Sequence, residues 1–310
     1  MERKILIAVD GSIHTTNSLN YLCGLFREMD EVKFHLLTIV PCASLPPGKE
    51  WMDEQELMNC LPPAAIKKVR AARSAVKKAV QKLEQNGIAA DRITSDTKLA
   101  RGSIAADILG EARRGLYDSL VIGRRGLTKI EELVIGSISN SIVAESHDVP
   151  LWIVDGQVDS DKFLLPVDGS YCSLMAADHL AHIMQGNHKC RITLFHSSAM
   201  FGGMGKTDQD HLYELWGREW CEEHLGRPDS LFHAPKQILI EGGIAEDNIT
   251  WLHTFTGIYP SRQILRQALI DGFGTIVIGR RLDKGRKGLF RGVSDALILM
   301  GQELAIWVVG

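Results

Sequence analysis

The sequence predicts a parallel α/β protein made of two tandem copies of one domain. The first observation behind this is self-similarity. ILIAVDGS (5–12) returns as FLLPVDGS (163–170), NGIAADRI (86–93) as GGIAEDNI (242–249), and SLVIGRR (119–125) as TIVIGRR (275–281). Each half also closes on an apolar run containing Trp, LWIV (151–154) and AIWVV (305–309). The matched segments keep their order and stay 155 to 158 positions apart, which duplication explains and chance does not. The second observation is that strand-like and helix-like periodicities alternate within each half, the signature of parallel strands joined by helical crossovers. The third is length: 310 residues are long for one core and comfortable for two of roughly 100–200 residues. The halves are read as 1–155 and 162–310, with GQVDSD (156–161) as linker.

The elements of the first half follow in order. Residues 5–9 form a continuous apolar run, expected of a strand covered on both faces. Asp10-Gly11-Ser12 turns the chain, and Ser12 or Thr15 can cap a helix whose Leu19, Leu22, Cys23 and Phe26 share one face. FHLLTIV (34–40) is the second strand. After a Pro-containing stretch comes a longer helix with Val69, Ala72, Val76, Val80 and Leu83 on one stripe, ended near Asn86-Gly87. A third strand falls near 93–100, then a helix carrying Ile104, Ile108, Leu109 and Ala112. The fourth strand is 119–123, followed by a loop, a helix with Ile138, Ile142 and Val143, and a fifth strand at 151–154. The second half repeats this order, except that residues 201–230 replace the Pro-rich stretch. There Trp216, Trp220 and Leu225 suggest one short amphipathic helix that covers part of the domain or an interface.

Bulk composition excludes several classes. Charged residues at 24% and hydrophobic ones at 45% describe a soluble globular chain, and a net charge of −3 gives no electrostatic case for nucleic acid or a membrane surface. No apolar run approaches a membrane span, and the opening residues read as a strand, not a secretory leader. Cys23, Cys42, Cys60, Cys172, Cys190 and Cys221 lie far apart without a C-x-x-C pair, so reduced thiols and a cytoplasmic location are expected.

In open parallel sheets, ligands bind beyond the carboxyl ends of the strands, where the strand order reverses. In the first half Asp10, Ile39-Val40 and Gly123 occupy such ends. From Gly123 the chain reads GRRGLTKIEELVIGSIS: Gly123, two residues, Gly126, nine residues, then Gly136-Ser137. Gly123 and Gly126 remove side chains where backbone must pass close to a ligand. Gly136-Ser137 opens a helix whose first N–H groups and dipole favour an anion, and Ser137 and Ser139 add hydroxyl donors. Taken singly, Gly-x-x-Gly is an ordinary turn and Gly-Ser an ordinary cap; together at the ends of three strands they read as a phosphate cradle built chiefly of backbone.

This spacing, with VDGS after the first strand, resembles the universal stress protein family, and the resemblance covers both halves. It implies two Rossmann-like, adenine nucleotide alpha hydrolase-like domains, each a five-stranded parallel sheet with helices on both faces. It further implies a first half that binds ATP, ADP or AMP, with Mg or Mn held through the phosphates. Carried over by position, Asp10 meets the adenine or ribose end with Ala8 and Val9 beside it, and Ile39 lines the adenine pocket. Ile122, Gly123, Gly126, Gly136, Ser137, Ile138 and Ser139 wrap ribose and phosphates. Arg124 and Arg125 either face phosphate or stand in solvent.

The second half departs from the pattern. From Gly279 it reads GRRLDKGRKGLFRGVSD, with Leu282 at the second glycine and Gly292-Val293 for Gly-Ser. Asp168 is retained, and Ser197 matches Ile39. Lys284, Arg286, Lys287 and Arg291 make the loop basic, but Asp168, Gly279 and Gly292 are expected to form at most a weak nucleotide site. His179 with His182, and Cys221 with His224, have zinc-compatible spacing but read as helix-surface residues. Glu131 and Glu132, inside the first loop, could approach a nucleotide-bound metal or be simply solvated. The resulting expectation is a nucleotide-binding stress-response module that signals or protects, not an enzyme. A slow ATP hydrolase and an interaction scaffold are the alternatives. In single-domain members of the family the last strands pair between subunits, which implies here an intramolecular pseudo-dimer joined by antiparallel final strands and leaves room for a homodimer.

Overall fold

A computed structural model describes residues 2–41, 60–124, 137–198, 206–254, 258–281 and 292–310. The chain divides into two compact units, Met1–Val149 and Pro150–Gly310. The first contains β1 (Arg3–Ala8), α1 (Ile13–Phe26), β2 (Val32–Val40), α2 (Pro63–Gln85), β3 (Ile93–Leu99), α3 (Ile104–Arg114), β4 (Ser119–Gly123) and α4 (Ser137–Glu145). Its strands run in the order β3-β2-β1-β4, and the pairs β1–β2, β1–β4 and β2–β3 are all parallel. The order reverses between β1 and β4, so that is where a cleft opens at the carboxyl ends. Helix α1 packs on α2 and α3 on α4, as right-handed crossovers leaving β1 in opposite directions require.

Most of the residues expected to face the core do so, while Ala72, Val80 and Ile104 are half-buried. Leu19, Leu22, Cys23 and Phe26 of α1 and Val69, Val76 and Leu83 of α2 are buried. Ile142 and Val143 of α4 are buried too, whereas Ile138, on the opening turn of that helix, is 42% exposed. Pro63 starts α2, where its missing N–H would have had no helical partner anyway. The repeated NGIAADRI motif turns out to be a staple. Buried Arg92 donates to the carbonyls of Val32 (2.9 Å), Arg27 (3.3 Å) and Phe26 (2.8 Å), holding the α1–β2 turn. Its counterpart Asn248 donates to His188 O at 3.2 Å.

The second unit contains β5 (Leu151–Val154), β6 (Lys162–Pro166), α5 (Tyr171–Met184), β7 (Arg191–Ser197), α6 (Lys206–Trp216), α7 (Arg218–Leu225), α8 (Ser230–Glu241), β8 (Ile249–Thr254), α9 (Pro260–Asp271), β9 (Thr275–Gly279), α10 (Val293–Met300) and β10 (Ala305–Val309). Its order is β5-β10-β9-β6-β7-β8. The five strands β6 to β10 are parallel neighbours, and β5 pairs with β10 antiparallel. Trp152 lies opposite Trp307 in that pair. Their rings stack with centroids 3.8 Å apart and planes 2° apart. The expectation of one amphipathic helix in the inserted segment is corrected to two, α6 and α7. They break at Gly217, whose φ of 80° suits a residue without a Cβ. Trp216 and Trp220 stack across the break at 5.5 Å, and Trp220 Nε1 donates to both carboxylate oxygens of Glu241 on α8.

Candidate functional site

The cleft in the first unit begins with the Asp10-Gly11-Ser12 turn. Gly11 has φ +75° and Gly169, its counterpart, φ +72°, so both copies of VDGS owe their glycine to the backbone of the turn. Ser12 caps α1 by accepting from Thr15 N at 3.4 Å. Thr15, the alternative cap, instead donates its hydroxyl to Asp10 Oδ1 at 2.7 Å, and Ser12 N donates to the same oxygen at 2.9 Å. The exposed Asp10 is thus oriented through Oδ1, while Oδ2 has no partner among the described residues. Val9 is buried, and its N–H donates to Leu37 O at 2.8 Å while its carbonyl accepts from Thr38 Oγ1 at 2.6 Å. These bonds bring Ala8, Val9 and Asp10 against the end of β2, where Ile39 stands mostly buried.

Across the reversal, β4 places Ile122 and Gly123 beside the end of β1, since Ile7 is in register with Val121. Helix α4 spans Ser137–Glu145. The Ser139 hydroxyl donates to Gly123 O at 2.9 Å. It ties the start of α4 to the end of β4, and its one hydrogen is used. Arg124 is 1% exposed, so the solvent-exposed alternative for it fails: burial against the protein, not hydration, governs this side chain. Arg125, Gly126, Glu131, Glu132 and Gly136 lie outside the described residues, as do Cys42, Leu282, Lys284, Arg286, Lys287 and Arg291.

Gly123 also has a packing role. An ideal Cβ there would stand 2.7 Å from His14 Cβ, in the first turn of α1. On Gly279 it would overlap the carbonyl of Cys172 and stand 2.8 Å from Cys172 Cβ. Both glycines admit the first turn of a helix against the end of a strand. Retention of Gly279 therefore says nothing about a ligand.

Strand register matches the two clefts position by position. Ile5 pairs with Phe34 and Phe163 with Ile192, which sets Ser197 against Ile39 as the sequence suggested. The chemistry differs. Asp168 Oδ1 accepts from Ser170 N (3.0 Å) and Ser170 Oγ (2.5 Å), and Oδ2 is ion-paired with Arg281 Nη2 at 2.9 Å. Ser197 is buried and bonded to Gln263 Oε1. Gly292 precedes α10 with its N–H donating to Asp295 Oδ2 at 3.4 Å, and Asp295 pairs with Arg280 at 3.2 Å. A carboxylate of the protein thus stands at the helix start where an anionic ligand would go. Among the described residues no three His, Cys, Asp or Glu side chains are grouped to hold a metal. His179 accepts from Trp152 Nε1 (3.2 Å), and His224 bonds His233 (2.9 Å). Both histidines are buried, which corrects their reading as surface residues.

The family model described as universal stress protein family matches residues 1–155. The chain belongs to the universal stress protein family. Universal stress protein YxiE of Bacillus subtilis is 25% identical over 157 residues, covering 50% of this chain and 99% of the relative. Universal stress protein MJ0531 of Methanocaldococcus jannaschii is 22% identical over 147 residues, 47% of this chain and 78% of that protein. Among solved structures, a universal stress protein from Archaeoglobus fulgidus matches with a TM-score of 0.62 at 17% identity, over 99% of this chain and 97% of the other. The family model thus falls on the first half, and the likeness of fold extends over both. No helix of the described residues is long and apolar enough to cross a membrane.

Proposed function

We propose that the first half of this universal stress protein binds one adenine nucleotide, ATP, ADP or AMP, and that the protein acts as a nucleotide-dependent stress-response module. The observation that carries the reading is the reversal of strand order between β1 and β4, where parallel sheets of this kind bind ligands beyond the carboxyl ends. There Asp10, fixed through one carboxylate oxygen, has no partner for the other among the described residues, next to the strand end that Ser139 ties to a helix N-terminus. Such a carboxylate suits a ribose hydroxyl or the exocyclic amine of adenine. The N-terminal turn of α4 suits phosphate. A Mg or Mn ion would be carried by the phosphates. The second half carries Arg281 on the equivalent aspartate and Asp295 at the equivalent helix start, so one site per chain follows.

Calorimetry on the full chain tests this. One tight adenine nucleotide per chain is expected, lost in Gly126→Leu, the change that copies Leu282. Two equal sites, or undiminished binding by the variant, would refute it. Backbone cradles hold phosphate without activating water, so the protein is proposed not to be an enzyme; turnover near ~1 per second, within the ordinary enzymatic range, would make it an ATP hydrolase instead.

A further inference from the structure

We infer that His224 and His233 form a pH-sensitive latch, which holds α7 against α8 and lets it go when both rings are protonated. The latch is independent of the nucleotide reading. It is a side-chain pair that the second half has and the first lacks, with Lys77 at the place of His233.

His224 Nδ1 and His233 Nε2 stand 2.9 Å apart, so one carries a hydrogen and the other accepts it. His224, on α7, is 8% exposed, and His233, in the first turn of α8, is half-buried. Two neutral rings hold two hydrogens on four nitrogens. The first added proton goes to the outer nitrogen of the donating ring and leaves the bond whole. A second must go to the accepting nitrogen, which sets two N–H groups and two positive charges face to face. A buried donor without an acceptor is costly, so the rings must part to reach water. Glu223, largely exposed, lies 3.9 Å from His224 Nε2, at the outer nitrogen and not between the rings. Asp229, on the turn before α8, is held by Arg227 at 3.0 Å. On α8, Lys236 pairs with Glu246, and Glu241 accepts from Trp220 and Gln237. On α6, which packs on α7, His211 pairs with Glu214. From α5 and β7, also packed on α8, come Asp178, His182, His179 bonded to Trp152, and His196 bonded to Val167 O. Burial first, then the charges of Arg227 and His224, push the His233 imidazole below its ordinary value, against the pull of Asp229 and Glu223. The unfolded chain takes up both protons near pH ~6.5. The latch is therefore complete above that value and lost as pH falls through the lowered folded value. Cys221 lies one turn before His224 on the same face of α7 and is 3% exposed, so release of α7 bares its thiol. Acid thus frees the inserted segment and leaves the sheet behind it in place.

Labelling of the full chain with dithiodipyridine, a disulfide that reacts with thiols in acid, followed by peptide mass spectrometry, tests the latch. Exposed Cys60 sets the intrinsic rate at each pH, while buried Cys23 and Cys190 report general unfolding. Relative to Cys60, Cys221 should be protected at pH 8. Once opening takes up a proton, its labelling should rise roughly tenfold for each further pH unit of acidification, with Cys23 and Cys190 still protected. His233→Gln and His224→Asn put an amide near the lost ring nitrogen and take up no proton, so in both variants Cys221 should stay protected in acid. Histidine-selective nitrogen NMR of the wild-type chain should show the two rings titrating in two steps, the second below the ordinary range and together with exposure of Cys221. Protection unchanged by acid, exposure in the amide variants at the same pH as in wild type, exposure only together with Cys23 and Cys190, or two independent ordinary titrations overturns the latch. Should a variant fail to fold, seen as labelling of Cys23 and Cys190 at pH 8, the wild-type labelling and NMR decide.

Discussion

Adding one methyl group at Gly279 tests whether the glycine shared by both VIGRR segments serves packing or ligand. In Gly279→Ala the new Cβ overlaps the backbone carbonyl of Cys172, which cannot rotate away. The first turn of α5 must retreat by about 1 Å or more to regain van der Waals contact. In Gly123→Ala the nearest atom is His14 Cβ at 2.7 Å, with its carbonyl carbon at 3.3 Å, so a smaller shift suffices. Overpacking of this kind costs ~1–3 kcal/mol, and Ala offsets ~0.4–1 kcal/mol of it by restricting the unfolded chain. We expect a net loss of about 2 kcal/mol for Gly279→Ala and about 1 kcal/mol for Gly123→Ala. Equilibrium urea unfolding of the full chain, followed by far-ultraviolet circular dichroism and by tryptophan fluorescence, reads both. A Gly279→Ala protein as stable as wild type would refute the packing argument. It would return the glycine to a ligand role, in the half where the paired Asp168 leaves little for a ligand to do.

Further expectations follow from buried groups. Trp307→Ala removes a ring stacked on Trp152 and edge-on to Phe163; a loss of about 3–5 kcal/mol is expected, together with collapse of the near-ultraviolet signal of the tryptophan pair. Arg92→Ala leaves three backbone carbonyls without their donor, and the urea midpoint should drop by the equivalent of roughly 2–4 kcal/mol. Burial pushes the thiol pKa of Cys23 up to about 11 and that of Cys190 to about 12. Folding therefore holds these protons more tightly than the unfolded chain does, near ~8.5. The stability they contribute is complete below that value and lost as pH rises through about 11 and 12. Cys190→Ala should flatten the upper part of this alkaline loss in a pH series of unfolding midpoints. At pH 8, iodoacetamide should label exposed Cys60 and leave Cys23 and Cys190 intact.

Much of the fold was legible because each repeated segment marks a backbone requirement. The VDGS turns need φ > 0 at Gly11 and Gly169, and NGIA and GGIA need it at Gly87 and Gly243. Strand ends need Gly123 and Gly279 for helix packing. Such requirements are local, and a single sequence displays them twice. The cleft was less legible because its chemistry depends on pairs far apart in the chain. Ser139 with Gly123, Asp168 with Arg281, and Asp295 with Arg280 have no spacing that announces them. His14 was invisible for the same reason: 109 residues separate it from the glycine it touches. The break at Gly217 was missed because Trp216, Trp220 and Leu225 fit one amphipathic stripe, and the stripe does not record a left-handed residue in its middle.

The tie between Ser139 and Gly123 also has a bearing on ancestry and engineering. It pins Ser139 to the end of β4, and the second half holds Gly279 and Asp295 at the same separation in sequence. Since closing a loop of given length between fixed ends costs the same chain entropy whatever its residues, duplication left two sockets of a single gauge. What is inserted between them was free to diverge, one copy keeping Gly126 and Gly136-Ser137 and the other carrying Leu282, Gly292-Val293 and more basic residues, without either sheet having to be rebuilt.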